Sequence, residues 1–256
     1  MVYYRYMKNP QFGSEEIYHI YNRGVEKRNI FLDNQDRLRC IHDLFEFNDL
    51  EPADKFLFSQ FSEVKLPKIE REARKLIVEI LAFYLGDNHF HLMLRQKEEN
   101  GITLFMRKFG TGYTNYFNQK YERVGSLFQG TFKASLIKTE VHFLHLPYYI
   151  HLNALDSIAP EWRDRKIKNV NKVIKFLDSY RWSSHLDYIG KKNFPSVTQR
   201  DFLMKFWGGP EEYRKSIIKW LKEPELEEIK PIILEQFQYS EVKLPNIDVG
   251  GNDRKV

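Results

Sequence analysis

Residues 17–22, Ile-Tyr-His-Ile-Tyr-Asn, are β-branched and aromatic and stop at Arg23-Gly24, which predicts a first strand closed by a turn. From Asp33 the apolar positions Leu38, Ile41, Leu44, Phe45 and Phe47 recur at mostly helical spacing, predicting a helix with Asp33 or Asn34 as its N-cap. Residues 50–72 mix Pro52, Pro67 and many charges with aromatics. Residues 76–85 then become nearly continuously apolar, as a buried strand requires; Gly86-Asp87 is a turn signal, and residues 88–95 read as the paired return strand. In residues 101–121, Leu104, Phe105, Phe109, Tyr113, Tyr116 and Phe117 fall three and four apart, predicting a helix despite the weakening glycines Gly110 and Gly112. Gly125 and Gly130 bracket a loop, residues 132–137 read as a further strand, and Thr139 opens a helix running through His151 and Asn153. Strands of this kind with helices between them predict an α+β fold with an antiparallel β-sheet flanked by helices.

After about residue 156 the texture becomes polar and lysine-rich, with helices predicted over 170–178, 199–207 and 211–221. The expected organisation is therefore a first domain over residues 1–156 and a C-terminal helical appendage over 157–256 that ends in a frayed, glycine-containing tail. Ser62 to Ile69 is nearly repeated as Ser240 to Ile247, but one such pair is not a solenoid period.

A chain of 256 residues with 42% apolar content can bury a substantial core. One cysteine, Cys40, excludes a disulfide framework and a cysteine-based zinc site, and the expected compartment is the cytoplasm. No stretch approaches a membrane span, so no membrane partner is expected. The formal charge of +5 favours a polyanionic partner only mildly and serves solubility equally well.

Candidate chemistry sits in two places. His89-Phe90-His91 on a strand sends both imidazoles to one face and Phe90 to the other, so the pair could ligate one divalent metal; an isolated pair of this kind is also compatible with a half-exposed strand surface. Tyr149 and Asn153, four apart on a helix, share a face, although in a chain with fifteen tyrosines Tyr148 and Tyr149 also suit ordinary packing.

The joint pattern is more specific. Tyr18-His19-Ile20-Tyr21-Asn22-Arg23-Gly24, His89-Phe90-His91 after an apolar strand, the segment from Tyr121 to Phe132, and Tyr149-Ile150-His151-Leu152-Asn153 together resemble the single-tyrosine HUH transposases, in particular the branch associated with repetitive extragenic palindromes. Arg181-Trp182-Ser183-Ser184-His185 is similar to that family's downstream segment. The resemblance implies a ferredoxin-like HUH core, a metal held by His89, His91 and Asn153, and Tyr149 as the nucleophile. Two positions depart from the pattern: Ala154 stands where many relatives have proline, and Pro147 sits inside the expected helix, placing its start in question.

The implied activity is metal-dependent cleavage and transfer of single-stranded or hairpin DNA through a 5′-phosphotyrosine. A tyrosine with a pKa of about 10 is a weak nucleophile without nearby positive charge. Nitrogen and oxygen donors in a phosphoryl-transfer setting suit Mg²⁺ or Mn²⁺. DNA contacts are expected from Arg23, Lys27 and Arg28, from Arg107 and Lys108, and from Lys120, Arg123 and Lys133, with Tyr113, Tyr116, Phe117 and Phe128 interleaved either as stacking faces or as core. The competing reading is a domesticated, non-catalytic nucleic-acid-binding module, and the pattern is compatible with a monomer or a homodimer.

Overall fold

Side-chain alternation sets the architecture. In a computed structural model, which describes residues 10–51, 74–164 and 166–222, the strands β1 (Ile17–Arg23), β2 (Val78–Leu85), β3 (His89–Gln96) and β4 (Lys133–Leu136) form one sheet in the order β2-β3-β1-β4, with every neighbouring pair antiparallel. The helices α1 (Asn34–Glu46) and α2 (Gly101–Lys120) fall between β1 and β2 and between β3 and β4. That succession and strand order are ferredoxin-like, as the resemblance implied. The near-repeat at 62–69 and 240–247, the prolines Pro52 and Pro67, and the C-terminal tail lie outside the described residues.

One sheet face is apolar. Tyr18 and Ile20 on β1, Ile80, Phe83 and Leu85 on β2, and Phe90, Leu92 and Leu94 on β3 are buried together beneath α1 and α2. Gly112 is where α2 closes on α1: a Cβ there would come within 2.3 Å of the Phe47 ring, whereas one at Gly110 would meet nothing. The helix accepts the propensity cost of a glycine at 112 in exchange for this close approach.

Asp33 caps α1 by accepting from the Asp36 backbone at 2.9 Å, and the Asp36 carboxylate accepts in return from the backbone of Leu32 at 2.8 Å and of Asp33 at 3.3 Å. Asp36 also takes hydrogen bonds from Lys120, Tyr116 and Tyr121, at 2.7, 3.0 and 2.8 Å. Burial opposes its ionisation, but these donors win and hold its pKa below the ordinary 3.8. Its contribution to stability is therefore fully present above that ordinary value and is lost as pH falls through the lowered one. Asp36→Ala is expected to cost about 3–5 kcal/mol in urea unfolding at neutral pH, because it removes one of the two carboxylates that hold Lys120 and leaves four further donors, two tyrosine hydroxyls and two backbone amides, without their acceptor. A loss below about 1 kcal/mol would show that the cluster is solvated rather than structural.

The opposite sheet face is covered by α3 (Glu140–Leu152), capped by Thr139, whose hydroxyl accepts from the His142 backbone at 3.1 Å. Pro147 does not divide it: α3 is a single helix, and its second half, Leu146 to Leu152, is buried between the sheet and the C-terminal helices, so packing offsets the hydrogen bond that proline cannot make.

Four more helices follow: α4 (Val170–Leu177), α5 (His185–Tyr188), α6 (Asp201–Trp207) and α7 (Pro210–Lys222). The described residues form one compact unit. The chain from 182 to 199 runs along the free edge of β2, where Leu85 donates to the Trp182 carbonyl at 2.9 Å, Ser184 donates to the Phe83 carbonyl at 3.0 Å, and Gln199 donates to the Ile80 carbonyl at 2.9 Å. An edge strand that would otherwise expose its ladder groups is thereby closed.

Candidate active site: two histidines, a tyrosine and an arginine

Because strand side chains alternate, the face opposite the core carries His89 and His91 from β3, His19, Tyr21 and Arg23 from β1, and Tyr84 from β2. Phe90 points the other way, edge-on to Phe109 and Phe128 at 5.4 and 5.7 Å between ring centroids. Tyr21, His91 and Tyr84 are opposite one another across three strands, and the two imidazole centroids of His89 and His91 are 5.1 Å apart.

The orientation of each histidine follows from its partners. Asn88 donates through Nδ2 to the Lys27 carbonyl at 3.1 Å, which turns its Oδ1 toward His89 Nδ1 at 2.8 Å. His89 Nδ1 must then carry the proton, and Nε2 keeps its lone pair. His91 Nδ1 is 3.0 Å from His19 Nε2, and the two rings stack. Burial drives the pKa of His89 down to about 4 and that of His19 to about 3; burial, with both neighbouring imidazoles, takes His91 well below its ordinary value. All three are neutral at pH 7, the form in which imidazole ligates a metal.

Tyr149 projects from α3 onto these rings, with centroids 5.9 Å from both His19 and His91, and is 1% exposed. Asn153, the C-cap residue of α3, donates to the Tyr149 carbonyl at 2.7 Å, so the four-residue spacing does bring the pair together. Its Oδ1 accepts from Arg163 Nη2 at 2.8 Å. Arg163 lies in the 3₁₀ turn Pro160–Asp164, pairs with Asp156 at 2.5 Å, sits 5.5 Å from the Tyr149 ring centroid and donates through Nη1 to the Tyr149 hydroxyl at 3.4 Å. Trp162 packs on Tyr149 at 6.0 Å and donates to Asp156 at 2.7 Å. Burial raises the pKa of Tyr149, and the Arg163 guanidinium works against that rise.

Among the described residues no three His, Cys, Asp or Glu side chains converge as a metal site. The groups brought together are the two neutral imidazoles of His89 and His91 and the Tyr149 phenol, while the Asn153 amide oxygen, one turn along α3, accepts from Arg163. That set fits a cation that completes its shell with oxygens of a phosphate or water, as Mg²⁺ and Mn²⁺ do.

The cations expected to meet DNA divide into two groups. Arg23, which bonds to the Gln129 side chain, and Lys27, Arg28 and Arg123 gather where the loops after β1, between β2 and β3, and around Gly125 meet beside His89. Lys133 on β4 is exposed and opposite Tyr21. Arg107, Lys108 and Lys120 lie on α2, across the sheet from the histidines; Lys108 donates to the backbone carbonyls of Asp49 and Glu51, and Lys120 pairs with Asp33 and Asp36. Tyr113, Phe117 and Phe128 are core residues rather than stacking faces, and Tyr116 is bonded to Asp36. His19, Tyr84, Asp156 and Arg163 were not among the expected site residues. His19 had a signal, two residues before Tyr21 on one strand face, whereas Arg163 had none in its local sequence.

No curated protein matches the chain. Among solved structures, a REP-associated tyrosine transposase bound to a REP hairpin is similar over 74% of this chain and 88% of its own, at 11% identity and a TM-score of 0.45. The tRNA(His) guanylyltransferase of Saccharomyces cerevisiae is similar over 69% and 76%, at 8% identity and a TM-score of 0.33. Neither likeness is close enough to speak to activity. The family model for IS200-like transposases matches residues 54–153. The histidine strand, Tyr149 and Asn153 all lie inside this stretch of 100 residues that is similar to the IS200-like transposases.

Proposed function

We propose that the protein is a metal-dependent endonuclease and strand transferase for single-stranded, hairpin or palindromic DNA, with Tyr149 as its nucleophile. The observation that carries this reading is the placement of the Tyr149 phenol against two neutral imidazoles and one guanidinium. In the reaction the phenolic oxygen attacks the scissile phosphorus in line and forms a 5′-phosphotyrosine. The bond to the 3′ oxygen breaks, and that oxygen takes up a proton as a free hydroxyl. One phosphodiester replaces another, so attack by a different 3′-hydroxyl can reverse the step onto a new strand without an external energy source.

His89 and His91 would hold Mg²⁺ or Mn²⁺, with Asn153 as a further oxygen donor, and the bound cation would supply Lewis-acid polarisation of a non-bridging phosphate oxygen. Arg163 offsets the charge that develops on the phenol, and Asn88 and His19 orient the imidazoles. Arg23, Lys27, Arg28, Arg123 and Lys133 are the proposed backbone contacts around the histidines; Arg107, Lys108 and Lys120 could serve only a strand that wraps to the other side of the sheet.

The test is incubation of the protein with labelled hairpin DNA taken from palindromes flanking its own gene, with Mg²⁺ or Mn²⁺, followed by denaturing electrophoresis. A denaturant-resistant protein–DNA adduct is expected, and EDTA should abolish it. Tight binding to a verified cognate hairpin with no adduct would overturn the strand-transfer reading in favour of a non-catalytic binding module.

A further inference from the structure

A second concentration of positive charge lies beyond the candidate site in the sequence. Residues 166–222 hold thirteen Lys and Arg against five Asp and Glu, a net +8 in a chain of +5, so the remainder is net −3. Within this stretch α4 and α7 border a groove of about 360 Å³ whose polar walls are Asn171, Lys175, Asp178, Lys191 and Arg214. Its acid is already neutralised: Asp178 accepts from His185 at 3.0 Å through one oxygen and from Arg214 at 2.8 and 3.1 Å through the other. Lys191 reaches the Asp178 carbonyl at 3.1 Å, and Lys175 is exposed on the same wall. Arg214 and His185 thus satisfy Asp178, and Lys175 and Lys191 add positive charge to the groove beyond that pair.

It also adjoins the candidate site. Two residues beyond Asp178, the Tyr180 ring stacks on Tyr84 at 5.8 Å, and Tyr84 in turn faces His89 and His91 at 5.6 and 6.1 Å. We infer that the α4–α7 groove seats the phosphate backbone of the DNA strand that runs to Tyr149, with Lys175 and Lys191 as its phosphate contacts. The inference rests on the DNA strand-transfer reading for the identity of its ligand. A phosphate backbone is the partner that fits: it takes several cations at once along a groove and is insensitive to side-chain pattern.

The experiment compares the full-length protein with the Lys175→Gln/Lys191→Gln double variant, by fluorescence anisotropy on the hairpin DNA across a salt series, with Lys97→Gln as a remote control. Each phosphate contact contributes roughly 0.7 to 0.9 to the slope of log affinity against log salt. The double variant should therefore lose about 1.4 to 1.8 of slope and bind about 10- to 50-fold more weakly near 0.1 M salt. A slope and affinity like those of the unmodified protein would overturn the groove assignment. Equal or tighter binding of the matching RNA hairpin, with the same slope change, would overturn DNA as its ligand. Running the adduct assay in parallel separates the two readings: groove-dependent binding without an adduct sinks strand transfer alone, and an adduct with an unchanged slope sinks the groove alone.

Discussion

Tyr149→Phe is expected to give no covalent adduct and no strand cleavage while binding hairpin DNA within a few-fold of the unmodified protein. The substitution removes the one atom proposed to attack phosphorus and leaves the ring. That ring makes most of the residue's contacts, against His19, His91 and Trp162, and phenylalanine keeps them. Of the hydroxyl's hydrogen bonds, the one from Arg163 is long at 3.4 Å, so the folding penalty should stay near ~1 kcal/mol. Tyr148 cannot substitute for its neighbour. It points away from the histidines into a cluster with His145, Trp207, Tyr213 and Trp220, so Tyr148→Phe should still form the adduct. Denaturing electrophoresis of the two variants decides the matter, and an adduct on the Tyr149→Phe protein would remove Tyr149 from the mechanism.

The parts of this site that could be read in the sequence are those fixed by local periodicity. A period of two sends His89 and His91 to one face and Phe90 to the other, whatever the rest of the chain does, and a helical turn joins Tyr149 to Asn153. The capping role of Asp33 and the extent of α2 were legible for the same reason. What stayed hidden depends on distant segments. Arg163 reaches Tyr149 because the chain turns back through Asn153–Ser157 and Pro160–Asp164. The segment 182–199 closes the β2 edge through backbone groups together with the Ser184 hydroxyl and the Gln199 amide oxygen, partners about a hundred residues away in the chain. Charge misled in a similar way. Lys120, read as a DNA contact, spends its charge on Asp33 and Asp36. The aromatics interleaved with those cations followed the 3.6-residue period of a buried helix face, which is why Tyr113 and Phe117 belong to the core.

Arg163→Gln should lower the rate of adduct formation by about 100- to 1000-fold, the loss typical of removing one preorganised donor from a site of developing charge. Asp156 makes the effect asymmetric. With the guanidinium present, its carboxylate is paired at 2.5 Å; without it, an uncompensated negative charge remains near the phenol and disfavours the phenolate further. Arg163→Lys keeps the charge but not the planar fork that reaches Tyr149, Asn153 and Asp156 together, so it should recover only part of the rate. Single-turnover kinetics on saturating hairpin DNA, with thermal melting to confirm folding, reads the chemical step directly. The geometry also defines the opposite outcome, because Trp162 and Arg163 lie over a tyrosine that is only 1% exposed. If the turn acted mainly as a cover, Arg163→Gln would open the site and the rate would rise. A fall that Lys partly restores identifies Arg163 as the group that stabilises the phenolate; a rise would make it the latch that keeps Tyr149 from its substrate.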